Sequence, residues 1–94
     1  MEISLTARVT IPEKVLIREV AGESVILNLN NEQYYGLDEV GTRFLAVLAT
    51  AASIQAAIDT LLAEYEVDRT TLEKDMRELL GRLLEQGLIE LHDG

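Results

Sequence analysis

Hydrophobic and polar positions follow two periods along the chain, a strand-like period in the first third and a helical period afterwards. β-Branched and alternating segments predict strands over residues 15–20, 24–29 and 33–37, with tight turns at residues 21–23 and 30–31. Strands joined by such short turns form an antiparallel meander, so the first and third strands are predicted to be its edges.

The middle strand, SVILNL, alternates clearly enough to predict its buried face. The alternation puts Val25, Leu27 and Leu29 on one face, while Asn28 on the opposite face fits solvent. The sequence therefore predicts that Leu27 lies in the core, where its replacement by Ala would cost about 2–5 kcal/mol.

The helical period predicts three helices, the first two over residues 39–49 and 54–64. Asp38 and Ser53 immediately precede them and are good N-caps, because their side-chain oxygens can accept hydrogen bonds from the first unpaired N–H groups. We therefore expect a three-helix cluster after the sheet.

The third predicted helix ends near Gln86 and carries an unusually wide apolar stripe. It begins either with Asp68 as N-cap or with a capping box formed by Thr70 and Glu73. The stripe is a core seam widened by two leucines: Leu72, Met76, Leu79 and Leu83, with Leu80 and Leu84. The extra width favours either packing under the sheet or the lining of an open groove.

Chain length and composition limit the chain to one modest core, since it has 94 residues of which 48% are hydrophobic. Residues 1–12, interrupted by the only proline, are expected to form a loosely held lead-in, and residues 13–94 a single domain. The predicted fold class is α+β, an N-terminal three-stranded antiparallel sheet followed by a three-helix cluster.

Charge and residue types disfavour several functions. The 8 basic and 17 acidic residues give a net charge of −9, which disfavours nucleic acid as a partner. There is no cysteine, and the single histidine, His92, has no nearby partner that would make a metal site. We therefore expect no catalytic residues, no metal and no cofactor, and predict that the protein is not an enzyme.

Targeting signals are absent from the sequence pattern. No apolar run approaches the roughly 20 residues of a membrane helix. Residues 1–4 lack the basic region followed by an apolar stretch that opens a signal peptide. A cytoplasmic location without membrane contact is expected.

Residues 30–45, NNEQYYGLDEVGTRFL, are similar to the signature of PqqD-like proteins, in which a strand with a Tyr-aromatic-x-Leu ending runs into a capped helix with an early glycine. The resemblance continues through LAEYEVD at residues 62–68 and EQGLI at residues 85–89, and covers roughly residues 13–91. It departs from the family pattern at Asp38-Glu39, where many members carry Asn-Pro, and at two further positions. These are Leu45, often Trp, and Arg69, often Pro.

This resemblance implies a winged helix-turn-helix-like domain that recognises precursor peptides. Such domains bind the leader segment of a ribosomally made peptide as an added antiparallel strand against the third strand, with the third helix as the other wall. They present the leader to a modifying enzyme such as a radical enzyme, a cyclase or a protease, and are not themselves catalysts.

The candidate site is the third strand with the third helix. Residues 32–37 contain neither Pro nor Lys, the residues that commonly protect an edge strand from pairing. The expected peptide-binding residues are Glu32, Gln33, Tyr34, Tyr35, Gly36, Glu73, Lys74, Met76, Arg77, Leu80 and Leu84.

Individual roles within this set follow from residue type. Arg77 and Lys74 could pair with leader carboxylates and Glu73 with a leader Lys or Arg, although Arg77 could instead pair with Glu73 on its own helix. Tyr35 is predicted to be in the core, and Tyr34 is either a surface aromatic or a ligand contact. Three further carboxylates are interpreted as a solvated helix face: Asp75, Glu78 and Glu85.

Two other functions fit the same outline. A winged-helix DNA-binding protein would need a basic third helix, but residues 69–86 carry 4 basic and 4 acidic side chains. A general protein–protein adaptor would need no edge-strand pairing. An exposed edge could also pair two copies, so a homodimer is a further option.

Overall fold

The computed structural model describes residues 3–92, which form two antiparallel sheets and three helices. In chain order the elements are β1 (Arg8–Thr10), β2 (Val15–Val20), β3 (Glu23–Asn28), β4 (Tyr34–Leu37), α1 (Glu39–Leu48), α2 (Ile54–Glu64), α3 (Arg69–Glu85) and β5 (Glu90–His92). The predicted α+β class is confirmed. Within this described part of the chain, no helix combines the length and hydropathy needed to cross a membrane.

The larger sheet is a meander with the strand order β2-β3-β4. Ala21 and Gly22 join β2 to β3 with φ angles of 55° and 86°, the left-handed pair that suits the twist of a two-residue hairpin. In the register of β3 and β4, Ile26 lies opposite Tyr35 and Leu27 lies opposite Tyr34. β2 and β4 are therefore the two edges of this sheet.

The buried face of β3 is the opposite of the predicted one. The inner positions are Ser24, Ile26 and Asn28, all buried, whereas Val25 and Leu29 are exposed and Leu27 is only half-buried. The prediction that Leu27 belongs to the core and Asn28 to solvent was wrong. Because side chains alternate along a strand, placing Ile26 inside turns the whole set of odd-numbered residues outward.

Hydrogen bonds explain why two polar residues occupy the inner face of β3. The Ser24 hydroxyl lies 2.7 Å from the hydroxyl of Thr42 in α1, and Asn28 Nδ2 donates to the backbone oxygen of Gly87 at 2.7 Å. Burying a polar group is tolerated when its hydrogen bonds are restored in the fold. Both partners are remote in sequence, so the alternation alone could not reveal them.

The segment before β2 is not the loosely held lead-in that the sequence predicts. Its apolar side chains enter the core, namely Ile3, Ala7 and Val9. β1 pairs with β5 in the smaller sheet, and the backbone oxygens of Ala7 and Leu5 accept from the N–H groups of Ile54 and Gln55, each at 2.8 Å. The segment thus satisfies donors that the start of α2 would leave unpaired.

The three helices begin as predicted. The side chains of Asp38, Ser53 and Asp68 each accept a hydrogen bond from the backbone N–H three residues further on. For α3, the N-cap is therefore Asp68. The chain leaves α3 through Gly87, whose φ of 70° is the left-handed conformation typical of a helix stop.

The core seam of α3 differs from the predicted seam at one position, where Leu80 takes the place of Leu79. Its buried residues are Leu72, Met76, Leu80 and Leu83. Leu80 is completely buried, while Leu79 is half-buried and faces the space beside β4. The two leucines that widen the stripe, Leu80 and Leu84, pack against the core, whereas Leu79 of the predicted seam borders the groove.

Candidate functional site: a groove beside an open strand edge

β4 pairs with β3 on one side, and among residues 3–92 no strand pairs with its other side. The Asn28 N–H donates to the Gln33 oxygen at 2.8 Å, which fixes the alternation of hydrogen-bonded and non-hydrogen-bonded pairs along β3 and β4. By this alternation the N–H and C=O groups of Tyr35 point to β3, and those of Tyr34 and Gly36 point away from it. The open edge therefore offers two donors and two acceptors.

A groove of about 500 Å³ lies between β4 and α3. One wall is formed by β4 from Tyr35 to Leu37, and the other by a face of α3 that begins at Thr71. Beyond Leu72, five more residues of α3 border the groove, and their spacing places them on one side of the helix: Asp75, Met76, Glu78, Leu79 and Arg82. A peptide strand placed beside β4 would lie along this groove.

The groove combines an apolar wall with charged groups. Leu79, Met76 and Val40 supply aliphatic surface, while Asp75 and Glu78 stand exposed on the helix. Counting Asp38 as well, three carboxylates oppose the single guanidinium of Arg82, so the lining has a net charge of −2. This charge favours a ligand that carries Lys or Arg.

Arg82 links the two walls of the groove. Its Nη1 donates a hydrogen bond to the Tyr35 hydroxyl at 3.3 Å, from α3 to β4. The hydrogen bond to Tyr35 is the main cause that raises the pKa of Arg82 above its usual value. Charge interactions, including those with Glu78 and Glu85, raise this pKa by a smaller amount. The Arg82 guanidinium, which is a cation at any ordinary pH, thus connects the half-buried Tyr35 ring to the helix.

Two asparagines set the distance between β4 and the end of α3. Asn28 is the last residue of β3, and Asn31 lies in the turn between β3 and β4. Asn28 donates to the Gly87 oxygen at 2.7 Å and Asn31 Nδ2 donates to the Gln86 oxygen at 3.3 Å. A Cβ at Gly87 would lie only 3.2 Å from Asn28 Nδ2, so glycine permits this close approach. These bonds hold the hairpin in place beside α3.

Only part of the predicted site comes together in this groove. Tyr35, Gly36 and Met76 all border it, as predicted from sequence. Leu80 is completely buried, which removes it from contact with any ligand, and Leu84 packs against the core outside the groove. The prediction of Leu80 as a peptide contact is therefore wrong, because Leu80 occupies the core position that the sequence assigned to Leu79.

The charged residues predicted for the site lie on another side of α3. Glu73, Lys74 and Arg77 surround a separate shallow depression. Arg77 donates to the backbone oxygen of Ile3 and so fastens the N-terminal segment to α3. Glu73 lies 3.6 Å from Arg69, which is an ion pair different from the predicted Glu73–Arg77 pair.

The residues before β4 border the open edge rather than the groove. Glu32 and Gln33 are exposed in the turn, where Glu32 has a φ of 60°. Tyr34 is 68% exposed on the outer face of the sheet. Its exposure fits both interpretations of Tyr34, a surface aromatic and a ligand contact.

Sequence reasoning missed the residues that supply the groove's charge. Asp75 and Glu78 were interpreted as a solvated face, and Arg82 and Leu79 were not assigned to the site. The usable signal was their spacing, since positions 75, 78, 79 and 82 share one face of a helix. Which face would turn towards β4 depended on the packing of α3, which periodicity alone does not determine.

Two further ion pairs connect helices. Arg43 in α1 donates two hydrogen bonds to Glu64 in α2, at 2.8 and 2.7 Å, and Arg69 in α3 donates one to Asp59 in α2 at 2.7 Å. Hydrogen bonding to the arginines lowers the pKa of both Glu64 and Asp59. Within residues 3–92 no group of three or more His, Asp or Glu side chains is placed to hold a metal ion.

Comparison with known proteins gives a consistent result. The model of the family described as Coenzyme PQQ synthesis protein D (PqqD) matches residues 23–89. The structure of TbiB1 in complex with the TbiA(beta) leader peptide is similar with a TM-score of 0.77 and 36% sequence identity, over 85% of this chain and 93% of that one.

A second solved structure, lasso peptide synthetase B1 complexed with the leader peptide, has the same TM-score of 0.77. It is 23% identical over 88% of this chain and 98% of that one, which supports the fold. No curated protein sequence matches this chain. The family match spans most of the chain, including β3, β4 and all three helices, so the chain belongs to the PqqD family, as its sequence resemblance predicted.

Proposed function

We propose that this protein binds the leader segment of a ribosomally made precursor peptide and presents it to a modifying enzyme. The observation that carries the proposal is the open edge of β4 beside the groove formed with α3. TbiB1, which is 36% identical over most of this chain, forms a complex with a leader peptide, and this supports the same class of ligand here.

The leader would bind as a fourth strand of the larger sheet. Tyr34 and Gly36 each offer one N–H and one C=O at the open edge, so an added antiparallel strand could form up to about four backbone hydrogen bonds. Each bond contributes roughly 0.5–1.5 kcal/mol net. These bonds provide affinity for any extended peptide and leave sequence choice to the side chains.

Side-chain selection would come from the groove. Alternate residues of the added strand share the face of Tyr35 and enter the space bordered by Met76 and Leu79, which suits aliphatic anchors. A Lys or Arg of the leader would reach the carboxylates Asp75 and Glu78. We therefore propose these residues, with Tyr35, Gly36 and Met76, in place of the charged residues 73, 74 and 77.

The proposal assigns the protein a binding role without catalysis, in the cytoplasm where precursor peptides are made. The peptide-binding domain would include the segment before residue 13, as a winged helix-turn-helix variant in which β1 and β5 form a small sheet beside the helices. A DNA-binding role would place α3 in a major groove, which requires a basic helix. Residues 69–86 instead carry equal numbers of basic and acidic side chains. The adaptor alternative leaves the groove without a use, and a homodimer paired through β4 would occupy the edge that the leader needs.

The test is a titration of the isotopically labelled protein with a synthetic leader peptide from an adjacent precursor gene, followed by NMR. We expect amide shifts at residues 34–37 and along residues 71–82, and a scrambled peptide of equal composition should produce much smaller ones. Shifts confined to α2, or equal shifts with the scrambled peptide, would contradict the proposed groove.

A further inference from the structure

The groove beside β4 carries charges of both signs, arranged in order along α3. Asp75 and Glu78 border it first, and Arg82, one helical turn after Glu78, is the only basic residue in its lining. All three side chains are exposed. Among residues 3–92, none of the observed ion pairs includes any of the three. These charged groups are therefore available to a ligand.

Arg82 keeps most of its hydrogen-bonding capacity. A guanidinium has five N–H donors, and the bond to the Tyr35 hydroxyl uses one of them. Glu78 and Glu85 lie on the same helix, close enough for their charges to raise the pKa of Arg82, but neither forms an ion pair with it. The planar group can therefore still bind a carboxylate of a ligand through two parallel hydrogen bonds.

The two walls of the groove run in opposite directions. Residues of the two walls come together in an antiparallel series: Asn31 with Gln86, Tyr35 with Arg82, and Leu37 with Leu79. The first two pairs are hydrogen bonded. The third pair flanks Gly41, where an added Cβ would lie 3.4 Å from Leu37 and 3.5 Å from Leu79. The start of β4 therefore lies beside Arg82, and Asp75 lies towards the other end of the strand.

This orientation gives the charges a direction along an added strand. A strand antiparallel to β4 runs parallel to α3, so its first residues pass Asp75 and its last residues pass Arg82. Asp38, directly after β4, adds a carboxylate at the Asp75 end. Along a helix, the separation of Asp75 and Arg82 is roughly 10 Å. Strand residues that share a face repeat about every 7 Å, so two charged residues with one apolar residue between them span the groove.

We propose that the groove selects leaders by the order of their charges: Lys or Arg first, an aliphatic residue two positions later, and Asp or Glu two positions after that. The inference rests on the proposed function and defines which leaders are bound. The cation pairs with Asp75 and Glu78, the aliphatic side chain packs on Leu79, and the carboxylate binds Arg82. The reversed order brings like charges together at both ends, and this repulsion excludes such a leader.

The test compares two versions of a synthetic leader from an adjacent precursor gene. Intermolecular NMR contacts identify the five leader residues beside β4, beginning with one whose side chain enters the groove. These five are replaced by Lys-Thr-Leu-Thr-Glu or by the reverse order, Glu-Thr-Leu-Thr-Lys, so composition and net charge are equal. We expect the first version to bind at least about fivefold more tightly at low salt, because it gains two exposed charge pairs. The difference should shrink in high salt.

A charge swap in the full-length protein provides the matched variant. Asp75→Lys combined with Arg82→Glu keeps the net charge of the protein and exchanges the two ends of the groove. This double variant should reverse the preference between the two peptides. Losing the hydrogen bond to Tyr35 weakens both peptides alike and leaves the ratio of their dissociation constants unchanged. The control swap, Arg8→Glu with Glu90→Lys, changes exposed residues of the β1–β5 sheet and should keep the original preference.

Three results would overturn the charge order: equal binding of the two peptides, tighter binding of the reversed peptide, or an unchanged preference in the Asp75→Lys/Arg82→Glu variant. The second result would mean that the leader runs parallel to β4. If the original leader binds in the groove and neither replacement does, the groove recognises other features and the inference fails alone. If no version of the leader shifts the amides of residues 34–37 and 71–82, the proposed function fails as well.

Discussion

Replacing Gly36 by Pro tests whether the leader pairs with the edge of β4. The Gly36 N–H points away from β3, so a proline there removes no hydrogen bond of the sheet, and edge strands tolerate proline in this orientation. The leader would lose one donor, and its carbonyl would remain unpaired at a cost of about 1–3 kcal/mol. At 1.4 kcal/mol per factor of ten, this alone weakens binding by about 5- to 150-fold.

The assay is calorimetric titration with the synthetic leader, together with thermal unfolding of each variant. Gly36→Ala is the matched control, because it keeps the N–H and its Cβ would project into open space. We expect Gly36→Ala to bind the leader within about twofold of the original, because it leaves every hydrogen bond in place. If Gly36→Pro folds and binds as tightly as Gly36→Ala, the leader does not pair with this edge and the reasoning is refuted.

Other expectations follow from the packing and the charges. Ile26→Ala should lower the free energy of unfolding by about 2–5 kcal/mol, and Leu27→Ala by clearly less, which denaturant titration would measure; equal losses would contradict the observed faces of β3. Asp75→Lys should weaken a leader that carries Lys or Arg by up to about fivefold, with the loss shrinking in high salt, whereas an unchanged affinity would remove Asp75 from the site. The pKa of Glu64 is lowered by its hydrogen bonds to Arg43, so its stabilising effect is present at neutral pH and is lost as the pH falls through the lowered pKa. Glu64→Gln should therefore flatten the acid side of the melting-temperature profile, and an unchanged profile would mean that this exposed pair contributes nothing.

Local signals predicted the elements well because each depends on residues close in sequence. The three N-caps Asp38, Ser53 and Asp68 bond to groups only three residues away. The turn between β2 and β3 likewise depends only on its own two residues, Ala21 and Gly22, which both have left-handed φ angles. The sequence therefore predicted the three strands of the larger sheet and the three helices, and their observed ends lie within a residue or two of the predicted ones.

Long-range partners account for what the sequence could not predict. Arg77 looked available for a ligand, but its acceptor is the backbone of Ile3, 74 residues earlier. The only proline predicts a loosely held segment over residues 1–12, yet β1 lies within it and pairs with β5, more than 80 residues later. Such contacts leave no periodic trace in the sequence, and they decided which face of α3 remained open to the groove.

The inverted faces of β3 connect the fold to its proposed use. Ser24 and Asn28 point inward and bond to α1 and to the segment after α3, so the hairpin of β3 and β4 is fixed against both helices that border the groove. An edge fixed in this way is already ordered before a peptide binds. Little conformational entropy is then lost on binding, which favours affinity. The same alternation forces Val25 and Leu27 outward, because a strand cannot present both sets to the core. Had the apolar set faced inward, the hairpin would have lost both polar anchors.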